Sequence, residues 1–246
     1  MSDISAADRE KIEAELLKLL EEEELYRKRN ALFGLYPETG PLRRELYPKH
    51  MQHLAAGRCY NERALIGANR SGKSLCCSYE TACHLIGWYP EWWDGFRFNR
   101  SITAWCAGED TKSTRESLQV ILLGKTGEHG TGLIPSENLM SITARSGVPE
   151  AVDTVTVKTR WGGVSRLLFK SYDQGRTSFQ AAKVDIMQFD EEPPADIYSE
   201  GLTRTMSTVP GEPNGLVICG FTPLSGLSTI VMSFMPGGER KEGALG

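Results

Sequence analysis

Eight residues, Gly67-Ala-Asn-Arg-Ser-Gly-Lys-Ser74, constrain this chain more than any other stretch. They fit G-x-x-x-x-G-K-[ST], a pattern with a mechanical requirement. It works only as the turn between a strand and a helix, where backbone N–H groups point at phosphate oxygens and the helix N-terminus adds partial positive charge. The flanking sequence supplies both elements: Ala64-Leu-Ile66 reads as a strand and Leu75 to Trp88 as a helix. Gly67, Ala68, Asn69, Arg70, Ser71 and Gly72 then form a phosphate cradle. Lys73 is expected to reach the β/γ-phosphates of ATP, and the Ser74 hydroxyl to coordinate Mg2+.

A second segment points to the same chemistry. Val184 to Glu192 is a mostly apolar strand ending in three consecutive acids, Asp190, Glu191 and Glu192. Burying such a strand tip is costly unless a cation or a catalytic task awaits it. In a P-loop ATPase an Asp there holds Mg2+ and a neighbouring Glu polarises the attacking water. Asp190 is therefore assigned to the metal and Glu191 to the base. Glu192, just before Pro193-Pro194, reads as a turn cap or an arginine partner, and Asp185, earlier in the strand, ranks second as metal ligand.

The 246 residues suffice for one large α/β core, and 40% hydrophobic with 24% charged residues is a globular composition. No apolar run is long enough to span a bilayer, and the N-terminus lacks a signal-peptide core. The six cysteines show no C-x-x-C spacing and read as reduced core residues rather than as a zinc site with His53 or His84. A net charge of −4 argues against a protein that coats nucleic acid, but not against a machine touching DNA with one small surface.

Along the chain, Ala6 to Arg29 reads as a helix with an apolar stripe of Ile12, Leu16, Leu19, Leu20 and Tyr26. Leu35 to Pro48 is an irregular link, and Trp88 to Trp93 an aromatic connection that fills the core or stacks on a partner. Ser101 to Ala107 is a strand, and Thr111 to Leu123 a helix capped by Asp110 or Thr111. The Gly-, Ser- and Pro-rich stretch 124–153 looks like an insertion. Val155 to Val157 and Val164 to Phe169 form a β-hairpin, Ile197 to Met206 a helix, and Gly215 to Phe221 a last buried strand. The alternation implies an α/β P-loop NTPase with a doubly wound, mainly parallel sheet, helices on both faces and an inserted β-hairpin. The expected division is a helical segment and link over 1–48 and an ATPase core over 49–246.

Asp190-Glu-Glu-Pro-Pro194, Ile197-Tyr-Ser-Glu-Gly-Leu-Thr-Arg204 and Phe221-Thr-Pro-Leu-Ser-Gly-Leu-Ser228 resemble the large terminase subunit of tailed bacteriophages, closest to the headful-packaging type. The resemblance extends over nearly the whole chain. It implies the ATPase domain of a motor that drives double-stranded DNA through a portal protein into a procapsid. The implied partners are the small terminase subunit and further copies in a ring, and the implied location is the host cytoplasm. The family's C-terminal nuclease domain does not fit after Gly246, so no nuclease activity is expected of this chain. Thr222 matches the residue that couples hydrolysis to movement, where a hydroxyl senses the γ-phosphate; the plain alternative is a turn-forming Thr-Pro. The position at which the family carries an adenine-reading Gln falls at His50, with Gln52 two residues on.

Phosphoryl transfer also needs a cation beyond Mg2+ and Lys73. Arg70, inside the loop, supplies one in cis; Arg176, Arg160 and Arg166 are candidates to act on a neighbouring copy. DNA contacts fall to Arg27-Lys28-Arg29, Arg43-Arg44, or Arg97 with Arg100, all of which also read as solvated charges. The rivals are another P-loop translocase or helicase-like ATPase, which needs a second RecA-like lobe, a nucleotide-gated scaffold without turnover, and a structural protein that binds no nucleotide.

Overall fold

The computed structural model describes residues 6–180, 182–224 and 226–235. Of the resemblance segment from Phe221 to Ser228, Ser225 lies outside the described residues, as does the chain end at Gly246. The long helix α1 (Ala6–Arg29) and the short α2 (Ala31–Gly34) lead into α3 (Pro48–Ala56). Then follow β1 (Glu62–Ile66), the phosphate loop and α4 (Lys73–Ile86). Next come β2 (Thr103–Gly108) and a helical run made of α5 (Thr111–Thr114), a π-helical turn (Arg115–Gln119) and α6 (Val120–Leu123). Strands β3 (Leu139–Ala144), β4 (Val152–Lys158) and β5 (Val164–Ser171) precede β6 (Ile186–Asp190), α7 (Ala195–Thr205), β7 (Leu216–Phe221) and α8 (Thr229–Ser233).

The seven strands form one sheet in the order β1-β7-β6-β2-β5-β4-β3. The first five run parallel, and β4 and β3 are antiparallel. The hairpin expected from the sequence is present as β4 and β5, and it is built into the main sheet, because β5 pairs with β2 in parallel. Strand β3 lies within the stretch read as an irregular insertion. Its six residues carry no charge and extend the hairpin by one antiparallel strand, with register shifts at both ends.

Separate apolar clusters cover the two faces of the sheet. One contains Cys76, Tyr79, Cys83 and Ile86 of α4 against Ala104, Cys106, Ile186 and Ile218. The other contains Ile197 and Tyr198 of α7 and Ile230 of α8 against Met187, Phe189, Val217 and Cys219. Parallel strands need both faces covered, and here helices cover both. At Gly201 the backbone of α7 comes so close to β6 that a Cβ would stand 2.6 Å from the Phe189 ring.

Polar side chains buried between sheet and helix fix α4. Gln188 of β6 donates to the Ser78 hydroxyl at 3.0 Å and accepts from Thr81 at 2.8 Å. Arg63 of β1 forks onto Glu80 of α4 at 2.7 and 3.1 Å and donates to the His53 carbonyl at 2.7 Å. A buried ion pair gains from further hydrogen bonds to its charged groups: His84 lies 3.4 Å from the same Glu80, while Arg63 Nε has no partner among the described residues. The strand before the phosphate loop and the helix after it are thereby locked together.

The segment before Pro48 packs on this core, with Leu32 and Tyr36 fully buried. The aromatic connection fills core space: Trp93 is buried and stacks at angles on Tyr79, Tyr89 and His84. The stripe on α1 behaves differently. Ile12, Leu16, Leu19, Leu20 and Tyr26 are each at least half exposed, as is Leu17 off the stripe, so the apolar residues of α1 are spread around the helix rather than gathered on a buried face.

Candidate nucleotide site

The strand order brings the site together. Because β7 lies between β1 and β6, the segments leaving the C-terminal ends of these three strands are the phosphate loop, Thr222 and Glu191. Ligand sites of open α/β sheets lie beyond the carboxyl ends of the strands.

The loop is shaped by two left-handed residues, Arg70 at φ 64° and Gly72 at φ 80°. A Cβ on Gly72 would meet the His50 ring at 3.0 Å while sitting in a conformation that L side chains avoid. Helix α4 starts at Lys73, two residues before the start read from the sequence. The Lys73 ammonium is buried, donating to the Ala68 carbonyl at 2.8 Å and to Thr222 Oγ1 at 3.0 Å. The Thr222 hydroxyl in turn donates to Asn69 Oδ1 at 2.8 Å, and its backbone N–H to Glu191 Oε2 at 3.3 Å. One chain of contacts therefore joins the loop, Thr222 and Glu191.

Asp190 ends β6 and is buried. Its Oδ2 accepts from the Ser117 hydroxyl at 3.3 Å, while Oδ1 has no hydrogen-bond partner among the described residues. Burial raises its pKa; the nearby hydroxyls of Ser74 and Ser117 and the charge of Lys73 oppose the rise, and the Glu191 charge adds to it. A buried carboxylate with one unpaired oxygen beside a serine hydroxyl fits a hard divalent cation with oxygen ligands. Ser74 and Asp190 are the residues that would hold Mg2+. Asp185, the second-ranked ligand, sits at the opposite end of β6, where it accepts from the Thr103 N–H at 2.8 Å and from Arg100 at 2.7 Å. Among the described residues no cluster of three or more His, Cys, Asp or Glu has metal-ligating geometry.

Glu191 takes φ 63°. A left-handed residue other than glycine costs roughly 1–2 kcal/mol, and such strain gathers at sites where a side chain must be aimed. With Asn69, Glu109, Tyr172, Glu192 and Thr222 it lines a cavity of 590 Å³. Glu192 is half-buried on this wall.

His50, the position assigned to adenine, has its ring bonded to the loop. A carbonyl can only accept, so Nε2 carries the proton that bonds Ser71 O at 3.0 Å, and Nδ1 accepts from the Tyr36 hydroxyl at 2.8 Å. Both nitrogens are committed, and burial lowers the ring's pKa. Gln52 is exposed and accepts from Lys49 at 3.2 Å.

Among the arginines, Arg70 is exposed and forms no hydrogen bond or ion pair among the described residues. Arg176 is held by Glu200 at 2.9 Å. Arg166 pairs with Thr103 at the start of β2, and the backbone of Arg160 bonds Ile86 at the far end of α4. Both lie at the end of the sheet away from the loop, so they face a neighbour's site or none. The proposed DNA-contacting cations are partly engaged within the chain: Arg44 pairs with Glu38, Lys28 with Glu24 and Arg100 with Asp185.

Two residues that hydrogen-bond to Asp190 escape the sequence reading. Ser117 is delivered by the π-helical turn, and Tyr172 follows β5, its hydroxyl directed at the backbone around Asp190. Neither belongs to a local pattern; only the chain crossings bring them in.

Residues 64–244 match the family model described as the N-terminal part of the terminase large subunit, T4-like-virus type. The chain is also 36% identical, over 249 aligned positions, to the terminase large subunit of Salmonella phage P22, covering 93% of this chain and 47% of that protein. The chain belongs to the terminase large-subunit family. It spans about half the length of the curated terminase it matches. Two solved terminases align more loosely. The large terminase of a thermophilic bacteriophage is 14% identical over 71% of this chain and 38% of its own, with a TM-score of 0.46. The large terminase ATPase domain of Thermus phage P74-26 is 18% identical over 68% of this chain and 63% of its own, with a TM-score of 0.41. No helix of this terminase chain, among its described residues, is long and apolar enough to cross a membrane.

Proposed function

We propose that this chain is the ATP-hydrolysing motor domain of a DNA-packaging terminase, converting ATP and water to ADP and phosphate to move double-stranded DNA into a procapsid. The observation that carries the proposal is the contact chain from the phosphate loop through Thr222 to Glu191, beside the half-unpaired carboxylate of Asp190. Backbone N–H groups of residues 67–74 hold phosphate oxygens, and Lys73 turns from Ala68 and Thr222 towards the β/γ-phosphates. Mg2+, when bound at Ser74 and Asp190, supplies charge neutralisation on the phosphates. Glu191 accepts a proton from the water that attacks the γ-phosphorus in line, as the bond to the β–γ bridging oxygen breaks. Arg70, exposed and unpaired on the loop, places a guanidinium on the charge that develops there.

Thr222 touches both Lys73 and Glu191, so withdrawing Lys73 onto phosphate removes one partner of its hydroxyl and leaves it on Asn69 alone, which is how nucleotide state reaches the segment after β7. The partners implied by family membership are duplex DNA, a portal protein, the small terminase subunit, the nuclease domain of a longer chain and further copies in a ring, in the host cytoplasm at the procapsid. Two variants test the chemistry. Lys73→Ala is expected to lose both nucleotide binding and turnover, whereas Glu191→Ala keeps Mg-ATP binding and loses hydrolysis. Rapid hydrolysis by the Glu191 variant would move the base to Glu192, and wild-type protein that neither binds nor turns over Mg-ATP would end the reading.

A further inference from the structure

The chemistry proposed above leaves Tyr172 without a task, yet the residue is built into the end of β6. Tyr172 opens a short 3-10 turn after β5 and is buried. Its hydroxyl lies 3.0 Å from the carbonyl oxygens of both Asp190 and Glu191, and 3.3 Å from that of Ala107 at the end of β2. Successive carbonyls of an extended strand point to opposite sides. One donor meets two in a row only where the chain leaves the extended region, and Glu191 leaves it at φ 63°. The ring is held in turn against Phe189, at 6.1 Å between centroids. Burial pushes the phenol well above its usual pKa, so it remains a donor at working pH.

We propose that Tyr172 is a positioning residue for Glu191: its hydroxyl holds the carbonyls on either side of that residue's α-carbon and so stabilises the left-handed turn that aims the carboxylate. The proposal rests on the reading of Glu191 as the group that activates water. The same turn brings Glu191 Oε2 to the Thr222 N–H, and Tyr172 lines the cavity that Glu191 faces. Tyr172 thus acts through the backbone, with no contact to substrate required.

Tyr172→Phe tests this, since the ring and its packing on Phe189 are kept and one hydroxyl is removed. Three quantities are read: steady-state kcat and KM for Mg-ATP, affinity for a non-hydrolysable ATP analogue, and the melting temperature. The expected result is a kcat lower by about tenfold, the scale of one hydrogen bond expressed only when Glu191 works, with KM and analogue affinity unchanged. In a Glu191→Gln background the same substitution should change the residual rate no further, because both act through one carboxylate. An unchanged kcat in Tyr172→Phe, alongside an active wild type and an inactive Glu191→Ala, defeats the role of Tyr172 and leaves the proposed function standing. Loss of analogue binding or of the fold defeats it too, by making the hydroxyl a support of the whole sheet end. Equal losses in the wild-type and Glu191→Gln backgrounds likewise overturn it. A wild type without Mg-ATP turnover removes the function and the proposal together.

Discussion

Arg70 and Glu191 hold two of the four left-handed non-glycine positions among the described residues, and both are at the site. Neither side chain owes this to packing, since Arg70 is exposed and Glu191 only half-buried. The conformations are imposed by the loop and by the end of β6, and their result is to project a guanidinium and a carboxylate from backbone that bends sharply. Arg70→Ala keeps the loop's backbone and removes the charge. Turnover is expected to fall by about 10³-fold, the lower range for an arginine finger, with nucleotide affinity little altered. Steady-state hydrolysis at saturating Mg-ATP checks this, and near wild-type rates would take Arg70 out of the chemistry. The loop residues and the acid run are legible in the sequence because each is contiguous, and the chemistry of phosphate binding restricts what such runs can be. Tyr172 and Ser117 are not legible, because what makes them part of the site is the approach of distant segments. The bonds of His50 to Ser71 and Tyr36 are hidden from the sequence for a related reason, being tertiary contacts.

At the scale of elements, the closeness of α7 to β6 sets how the acid-bearing strand is supported. Glycine inside a helix is ordinarily a loss, and Gly→Ala in a helix interior gains about 1 kcal/mol. At Gly201 the opposite is expected. The added methyl meets the Phe189 ring at 2.6 Å and Met187 at 3.1 Å, both on the strand that carries Asp190. Overpacking of this kind costs roughly 1–3 kcal/mol, so Gly201→Ala should lower the free energy of unfolding, measurable as a shift in the urea midpoint; a stabilised variant would show that α7 yields. Elements are legible where period and capping agree, as with the Asp110 cap, which forms a reciprocal box with Ser113. Strand β3 is hidden in a stretch rich in glycine, serine and proline. The run from Thr111 to Leu123 reads as one uniform helix, whereas a π-helical turn interrupts it and carries Ser117 to Asp190.

For the molecule as a whole, buried titratable groups set the pH range of stability. Burial lowers the pKa of His50, His53 and His84, that of His53 to about 4. A lowered histidine takes up its proton in the unfolded chain first, so stability falls as pH drops below 6.5. For His53 alone the slope approaches about 1.4 kcal/mol per pH unit until about pH 4. Glu80 adds to the loss below 4.5: burial alone would raise its pKa, but Arg63 and His84 together outweigh that and hold it low, at about 2. On the alkaline side, burial raises the thiols of Cys76, Cys77, Cys83, Cys106 and Cys219. A raised thiol ionises first in the unfolded chain, so stability declines above about pH 9. Calorimetric melts from about pH 4 to 10 should show a plateau between these limits, and a melting temperature that rises on acidification below about pH 6 would contradict the assignment. The parallel α/β architecture follows from the alternation of elements, but the order β1-β7-β6 does not, because no local pattern states which strand lies between two others.

That intervening strand has a mechanical consequence. Lys73 and Asp190 depend from β1 and β6, which are spaced by β7 at roughly 4.8 Å per step and tied to it by ladder bonds on both flanks. Widening the gap would tear those ladders. The two ends of the proposed triphosphate berth are therefore bolted to an anvil that does not give, and the stroke of the proposed motor falls to the pieces mounted on it.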